Sequence, residues 1–273
     1  MIKITVLNDN RKINDEFENE HGLSLLIEVD GKKILMDAGQ TEIYKRNAKR
    51  LGIDLSLIDT IALSHGDYDH GNGLKYFDNK VTLVCHPNCN CYRKSKRTGN
   101  YDGLNQSPDE LKKKFDVCES KEPYYISENV IFLGQIKKYN DFEHGNLPMT
   151  DEKGNDYLHL DDSGLAIKTE EGLIVISGCA HSGICNTVEY AKEITGEQRI
   201  LSIIGGFHLK EVNERTLKTI DYMKNINIKS IYLAHCTSDV VCQEFLRQIP
   251  DKTHILKTGC FYELGHKEKE IIR

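Results

Sequence analysis

The apolar run Thr60–Leu63 (TIAL) passes without a break into Ser64-His65-Gly66-Asp67-Tyr68-Asp69-His70-Gly71-Asn72-Gly73. A short apolar segment bounded by turn residues reads as a buried strand. Four imidazole and carboxylate groups within six residues behind it narrow what the chain can become. In extended backbone His65, Asp67 and Asp69 share one face, and Gly66, Gly71 and Gly73 let the chain turn sharply so that all four groups converge. The competing reading makes the carboxylates caps for a short helix over Gly71–Phe77. Capping accounts for one Asp at a helix start, not for two Asp and two His. Buried ionisable groups at this density need compensation. Two divalent cations a few ångströms apart supply it, in the geometry that clamps both ends of an in-line displacement.

Three later histidines each follow an apolar strand: His181 after IVISGCA, His208 after SIIGGF and His235 after IYLA. Strand C-termini are where open α/β sheets assemble their sites, so at least two of these three belong with the first cluster. His144, His159, His254 and His266 lack that setting and read as surface histidines, while His86 stays undecided. Around these motifs the chain reads as a strand at Ile2–Leu7, then a hairpin of Leu23–Val29 and Lys33–Met36 about an Asp30-Gly31 turn. A helix follows over Thr41–Leu51, with Thr41 as cap and Gly52 as stop. Strands are expected at Val81–Cys85, from Val130 (VIFLGQI), at Gly164–Lys168 and at Leu173–Ser177. Helices Ile184–Ile194, Asn213–Asn225 and Asp239–Arg247 then alternate with strands Ile200–Ile204 and Ser230–Leu233. Hairpins followed by βαβ units predict a mixed α/β fold with sheets covered by helices. Asn88–Pro123 is polar and aperiodic and reads as an insertion or lid. Its Tyr92, Arg93, Lys94, Lys96, Arg97 and Tyr101 suit either a basic cover over an anionic substrate or a solvated loop.

Composition excludes several classes. With 36 basic and 42 acidic residues the net charge is −6, the wrong sign for coating nucleic acid. No apolar run nears the ~18 residues that span a bilayer, and MIKITVLNDN lacks a signal peptide's apolar region, so a cytoplasmic protein with no membrane partner is expected. Nine cysteines do not suggest a disulfide framework. Cys85, Cys89 and Cys91 near His86 resemble a zinc clip but lack its spacing, and reduced thiols are expected there, as at Cys118, Cys185, Cys242 and Cys260.

The motifs together resemble the metallo-β-lactamase superfamily, whose signature is HxHxDH after a strand with further His and Asp or Cys ligands on later loops. Here the signature stands as His65-Gly-Asp67-Tyr-Asp69-His70, with Asp67 replacing the second histidine. The runs Glu20-His21-Gly-Leu-Ser24, Gly178-Cys179-Ala-His181-Ser-Gly183, Gly205-Gly206-Phe-His208-Leu209 and His235-Cys-Thr237 are similar to the dihydropterin-ribofuranosyl-aminobenzene-phosphate synthase-like branch. The resemblance implies an αββα four-layer sandwich in one domain over residues 1–273, and two divalent metal ions (Zn²⁺, Mn²⁺ or Fe²⁺). Asp67 hardens the first site and favours Mn²⁺ or Fe²⁺ more than an all-histidine site does. It places His65 and Asp67 on the first ion, and Asp69, His70 and His235 on the second, Asp69 also orienting a bridging hydroxide. His181 is favoured as a further ligand, with Cys179 its neighbour on the substrate side. Asp161 or Asp162 stands where the superfamily's mid-chain histidine is expected. His21 and His208 are implied to contact substrate or move protons, with His208 the acid for the leaving group.

The function implied is a metal-dependent hydrolase of a small phosphoester or related molecule. Its alternatives are a pterin-type synthase releasing pyrophosphate and a non-catalytic metal- or ligand-binding regulator. A flavin-dependent redox protein is disfavoured, because no flavin-binding loop is evident. The partners implied are a small-molecule substrate and no nucleic acid; a homo-oligomer stays open.

Overall fold

The computed structural model describes residues 1–143 and 148–265, and the backbone of 269–271. Two sheets pack face to face. In the first, strand order runs 269–271, Phe261–Leu264, Ile2–Asn8, Ser24–Val29, Lys32–Met36, Thr60–Ala62, Thr82–Cys85 and Asp116–Glu119. The second runs Thr253–Ile255, Ile228–Leu233, Ile200–Gly205, Gly172–Ser177, Gly164–Thr169, Val130–Phe132 and Tyr124–Tyr125. Each sheet has an antiparallel half and a parallel half. The parallel half of the first extends from Lys32–Met36 to Asp116–Glu119, and that of the second from Gly172–Ser177 to Thr253–Ile255.

Strand periodicity sorts the core into layers. Along Ser24–Val29, Leu25 and Ile27 enter the cluster between the sheets with Leu165, Ile167, Ile174 and Ile176. Leu26 points the other way, onto Tyr44, Ala48 and Leu74, because successive strand side chains alternate faces. Val175 and Ile203 likewise face the outer layer of the second sheet, where Val188, Ile220 and Phe245 come from three helices. Those helices are Ile184–Thr195, Glu214–Asn225 and Asp239–Gln248. Helix, sheet, sheet, helix is the expected four-layer order.

Several local expectations are corrected. The first helix spans Ile43–Arg50 with Glu42, not Thr41, at the cap position; the Thr41 hydroxyl accepts the Ile43 N–H at 3.3 Å and donates to Glu20 Oε2 at 2.8 Å. The strand from Val130 ends at Phe132, because Gly134 turns the chain with φ 70° against the Lys121 carbonyl. The second half of the expected insertion is regular structure: a capped helix Pro108–Lys114 and the edge strand Asp116–Glu119. Capping fails as an account of the Asp pair, since Asp67 precedes the short helix Tyr68–Gly71 without a side-chain cap bond.

The parallel strands point their C-terminal ends at one edge. Asp37, Ser64-His65, Cys179, His208 and His235 follow five of them, the position such sheets use for sites. The turns there are tight: Asp37, Ala180, His208 and His235 hold φ of 58°, 53°, 48° and 44°, values that L side chains avoid unless the surroundings enforce them.

Because both faces of the first sheet are covered, Leu26→Ala and Ile27→Ala should each destabilise the fold by about 2–5 kcal/mol in urea unfolding. A loss near zero for Leu26→Ala contradicts the outer helical layer.

Candidate metal centre

Asp37 is the buried hub of the first group. Its Oδ1 accepts the Ser64 N–H at 2.8 Å, and its Oδ2 accepts the Ser64 hydroxyl at 2.7 Å and lies 2.7 Å from His70 Nδ1. An ionised carboxylate only accepts, so His70 carries its proton on Nδ1. Ser64 has spent its one proton on Asp37, and its oxygen therefore accepts from His65 Nδ1 at 2.9 Å. Asn10 fixes the third ring. Its Nδ2 donates to the His235 carbonyl at 3.1 Å and its Oδ1 accepts the Gly22 N–H at 3.1 Å, which settles the amide's orientation. That Oδ1 lies 2.8 Å from His235 Nδ1, so His235 also donates from Nδ1.

These bonds leave Nε2 as the bare nitrogen on His70 and His235, and the two atoms face each other at 3.1 Å. Asp69 Oδ2 lies 3.2 Å from His235 Nε2, and Cys179 Sγ 3.2 Å from His70 Nε2. His21 differs. Its Nδ1 accepts from Asn10 Nδ2 at 3.1 Å, so its Nε2 holds the proton and donates to Asp69 Oδ2 at 3.1 Å.

A second group surrounds Asp67. His65 Nε2 and His181 Nε2 lie 3.4 and 3.5 Å from its Oδ2, and His159 Nε2 lies 3.6 Å from its Oδ1. The His159 and His181 rings stack at 3.8 Å. Arg93, wholly buried, reaches Asp67 Oδ1 and Asp161 Oδ2 at 2.9 Å each. Asp161 also accepts the Gly66 N–H and the Tyr157 hydroxyl at 2.8 and 3.0 Å. Nε2 of His65, His159 and His181 and Oδ1 of Asp162 are buried without a hydrogen-bond partner. Orphaned atoms of ligand type, aimed at shared space, fit divalent cations. His65, Asp67 and His181 form one cation-sized set, and His65, His70 and Cys179 form another beside it.

The charges follow from this crowding. Burial pushes Asp67 and Asp69 up, yet the facing imidazoles, His65 and His159 for Asp67 and His70 with His21 and His235 for Asp69, hold both well below the usual carboxylate range. Burial works against charge on His65, but Asp67 overrides it and lifts the ring to about 10. A proton there answers a charge that a cation answers once bound. Burial, with His159 and His208 nearby, drives His181 well below its ordinary value. Both groups open to a cavity of about 1170 Å³ walled by His21, Asp69, Lys96, Arg97, Lys210 and Arg215, among others.

The family model of the metallo-beta-lactamase superfamily matches residues 19–84. A 7,8-dihydropterin-6-methyl-4-(beta-D-ribofuranosyl)-aminobenzene-5'-phosphate synthase of Methanocaldococcus jannaschii is 32% identical over 94% of this chain and 95% of its own. The chain belongs to the metallo-β-lactamase superfamily. An uncharacterised protein of the same organism is 37% identical over 87% of this chain and 90% of its own. The crystal structure of a metal-dependent hydrolase of the beta-lactamase superfamily superposes with a TM-score of 0.85 at 27% identity, over 97% of this chain and 100% of that one. Among the described residues no helix is long and apolar enough to cross a membrane.

For this metallo-β-lactamase-superfamily chain, His65, Asp67, Asp69, His70, His181 and His235 converge as expected from the motif, with Cys179 between the two groups. His208 lies on the cavity wall, its ring 4.4 Å from that of His181. Two readings are corrected. His159 is no surface residue but 3% exposed, with its Nε2 3.6 Å from Asp67 Oδ1. Asp161 is engaged by Arg93, and Asp162 Oδ2 accepts the Ser182 N–H at 2.8 Å while its Oδ1 has no hydrogen-bond partner. Arg93 belongs to neither a solvated loop nor a lid. His254 stacks on Tyr232 away from the site; His86 is buried, and its Nδ1 accepts the Asn88 N–H. His144 and His266 lie outside the described residues. All nine cysteines are free thiols. No motif marks Asp37 or Asn10; the one signal for Asp37 is its place directly after the apolar strand Lys32–Met36.

Arg93→Met leaves Asp67 and Asp161 buried without their cation and should cost about 3–5 kcal/mol in chemical denaturation of the metal-free chain. Arg93→Lys should recover only part, since an ammonium cannot fork between two carboxylates. Full stability of Arg93→Met contradicts the assignment.

Proposed function

We propose that the chain is a metal-dependent hydrolase of a small phosphoester or related anionic molecule. His65, Asp67 and His181 would hold one divalent cation, and Asp69, His70 and His235 the other. The observation that carries the reading is the convergence of bare imidazole nitrogens and buried carboxylates on the floor of a large cavity. Zn²⁺, Mn²⁺ or Fe²⁺ bound there supplies the lowered pKa of an attacking water and the counter-charge for oxygens that gain charge.

The chain's own residues do the rest. Asp37, Ser64 and Asn10 lock three rings in the ligating tautomer, as outer partners of metal-binding histidines do. His21 keeps its N–H on Asp69 Oδ2 and orients that carboxylate. Arg93 holds Asp67 from behind. Lys96, Arg97, Lys210 and Arg215 line the cavity together with Asp102 and Glu211, and the four cations offer contacts to the anionic group of a substrate. His208 is placed to pass a proton to the leaving group. The chain is read as acting in the cytoplasm, with no nucleic acid or membrane partner.

The synthase name of the 32% identical relative favours a second reading, in which the same centre activates a diphosphate leaving group on a pterin. Supplying a pterin diphosphate with an aminobenzene acceptor separates the two: pyrophosphate released with coupling marks the synthase, and water-dependent cleavage alone marks the hydrolase. A screen of phosphodiester, thioester and lactone substrates with Mn²⁺ or Zn²⁺ identifies the hydrolase's substrate class. Asp69→Ala should bind at least one cation fewer and lose at least 10²-fold in turnover, about 2.7 kcal/mol or more of barrier. If Asp69→Ala keeps two cations and full turnover, the assignment is wrong.

A further inference from the structure

Beside the paired groups lies a cluster of different chemistry. The ligand atoms of Cys179, His208 and Cys236 all lie within 4.8 Å of one another. Each residue follows a neighbouring parallel strand of the second sheet: Gly172–Ser177, Ile200–Gly205 and Ile228–Leu233. Both cysteines are buried, and they are not joined. Gly206 keeps the space between them open, because a Cβ there would meet Cys236 Sγ at 2.4 Å and the Gly178 carbonyl at 2.5 Å. Cys236 Sγ accepts the His208 backbone N–H at 3.3 Å and lies 3.6 Å from the Cys179 carbonyl. His208 Nδ1 is buried and has no hydrogen-bond partner, and the ring stands beside the Cys236 thiol, which burial raises but Cys179 and this ring together push below its ordinary value.

Two thiols packed as hydrophobes need no imidazole between them, and an imidazole kept for packing does not leave a buried nitrogen unpaired. A tetrahedral ion with zinc–sulfur and zinc–nitrogen bonds of usual length sets its ligand atoms about 3.4–3.8 Å apart, a spacing that the cluster, its atoms all within 4.8 Å of one another, reaches by side-chain rotation alone. All three residues line the large cavity, which leaves a fourth position facing the space where substrate enters. The paired groups are rich in carboxylate and imidazole. This one offers two sulfurs and one nitrogen, and soft ligands of that kind select Zn²⁺ over Mn²⁺ or Mg²⁺.

We propose that Cys179, His208 and Cys236 form a third cation site, selective for Zn²⁺, which adjoins the paired centre where Cys179 Sγ lies 3.2 Å from His70 Nε2. The site stands whatever substrate the paired centre takes. Loading it engages the His208 imidazole and withdraws that ring from proton transfer.

The test uses the full chain, stripped with chelator, reloaded with Zn²⁺ or Co²⁺ alone, desalted and counted by elemental analysis. Cys236→Ser and His208→Ala are treated in parallel, with thermal melts to confirm that each is folded. The wild type should hold one zinc more than either variant, and its cobalt form should show thiolate-to-cobalt charge-transfer absorption that falls by at least half in Cys236→Ser. An equal zinc count in the wild type and in either folded variant overturns the proposal. The paired-cation reading is judged separately by what the variants retain. Two ions in them uphold it; fewer than two remove it, while the one-zinc difference still upholds the sulfur site.

Discussion

Imidazoles and carboxylates buried together at one edge of the two sheets are the constraint on which this structure turns. His70 Nε2 and His235 Nε2 stand 3.1 Å apart with Asp69 beside them, and three further imidazole nitrogens near Asp67 have no hydrogen-bond partner. A buried polar atom left unsatisfied costs about 1–3 kcal/mol, and the costs here accumulate at one edge of the two sheets. On the proposed reading, cations that bind only the folded chain would offset those costs and stabilise it by mass action. Arg93 is the fixed charge that makes the Asp67 side tolerable without them, and it divides itself between Asp67 and Asp161.

Precision comes from the backbone. Non-glycine residues with left-handed φ end four of the contributing strands, at Asp37, Ala180, His208 and His235. Such conformations cost of order 1–3 kcal/mol each and persist because the strands behind them are locked between helical layers. Gly66 is required for a related reason: a Cβ there would lie 1.7 Å from the Cys89 carbonyl. The core therefore does more than hold the fold together, since it holds the turns that aim the ligands.

What was legible in the sequence followed from local pattern. Apolar strands ending in histidine located His65, His70, His181 and His235, because strand burial and strand-end position are both written in consecutive residues. The superfamily signature then ordered them. What was not legible depends on long-range partners. Arg93 sits in a polar stretch and is buried only because Asp67 and Asp161 meet it from 26 and 68 residues away. His159 has no strand before it and reaches the centre through its own left-handed turn and its stack on His181. Asp37 and Asn10 look like ordinary turn residues until their hydrogen bonds are traced to the rings they orient. The helix Pro108–Lys114 and the edge strand Asp116–Glu119 were not legible in the polar stretch after Asn88, because they carry little hydrophobic signal of their own.

Whether the two groups hold cations or are merely a polar cluster is open to a direct experiment. Anomalous diffraction from a crystal of the full chain soaked in Zn²⁺ or Mn²⁺, with data on both sides of the metal's absorption edge, tests it most directly. Two cation sites give separate peaks, one among His65, Asp67 and His181 and one among Asp69, His70 and His235. An anomalous map without density at either place, with those side chains turned apart, contradicts them.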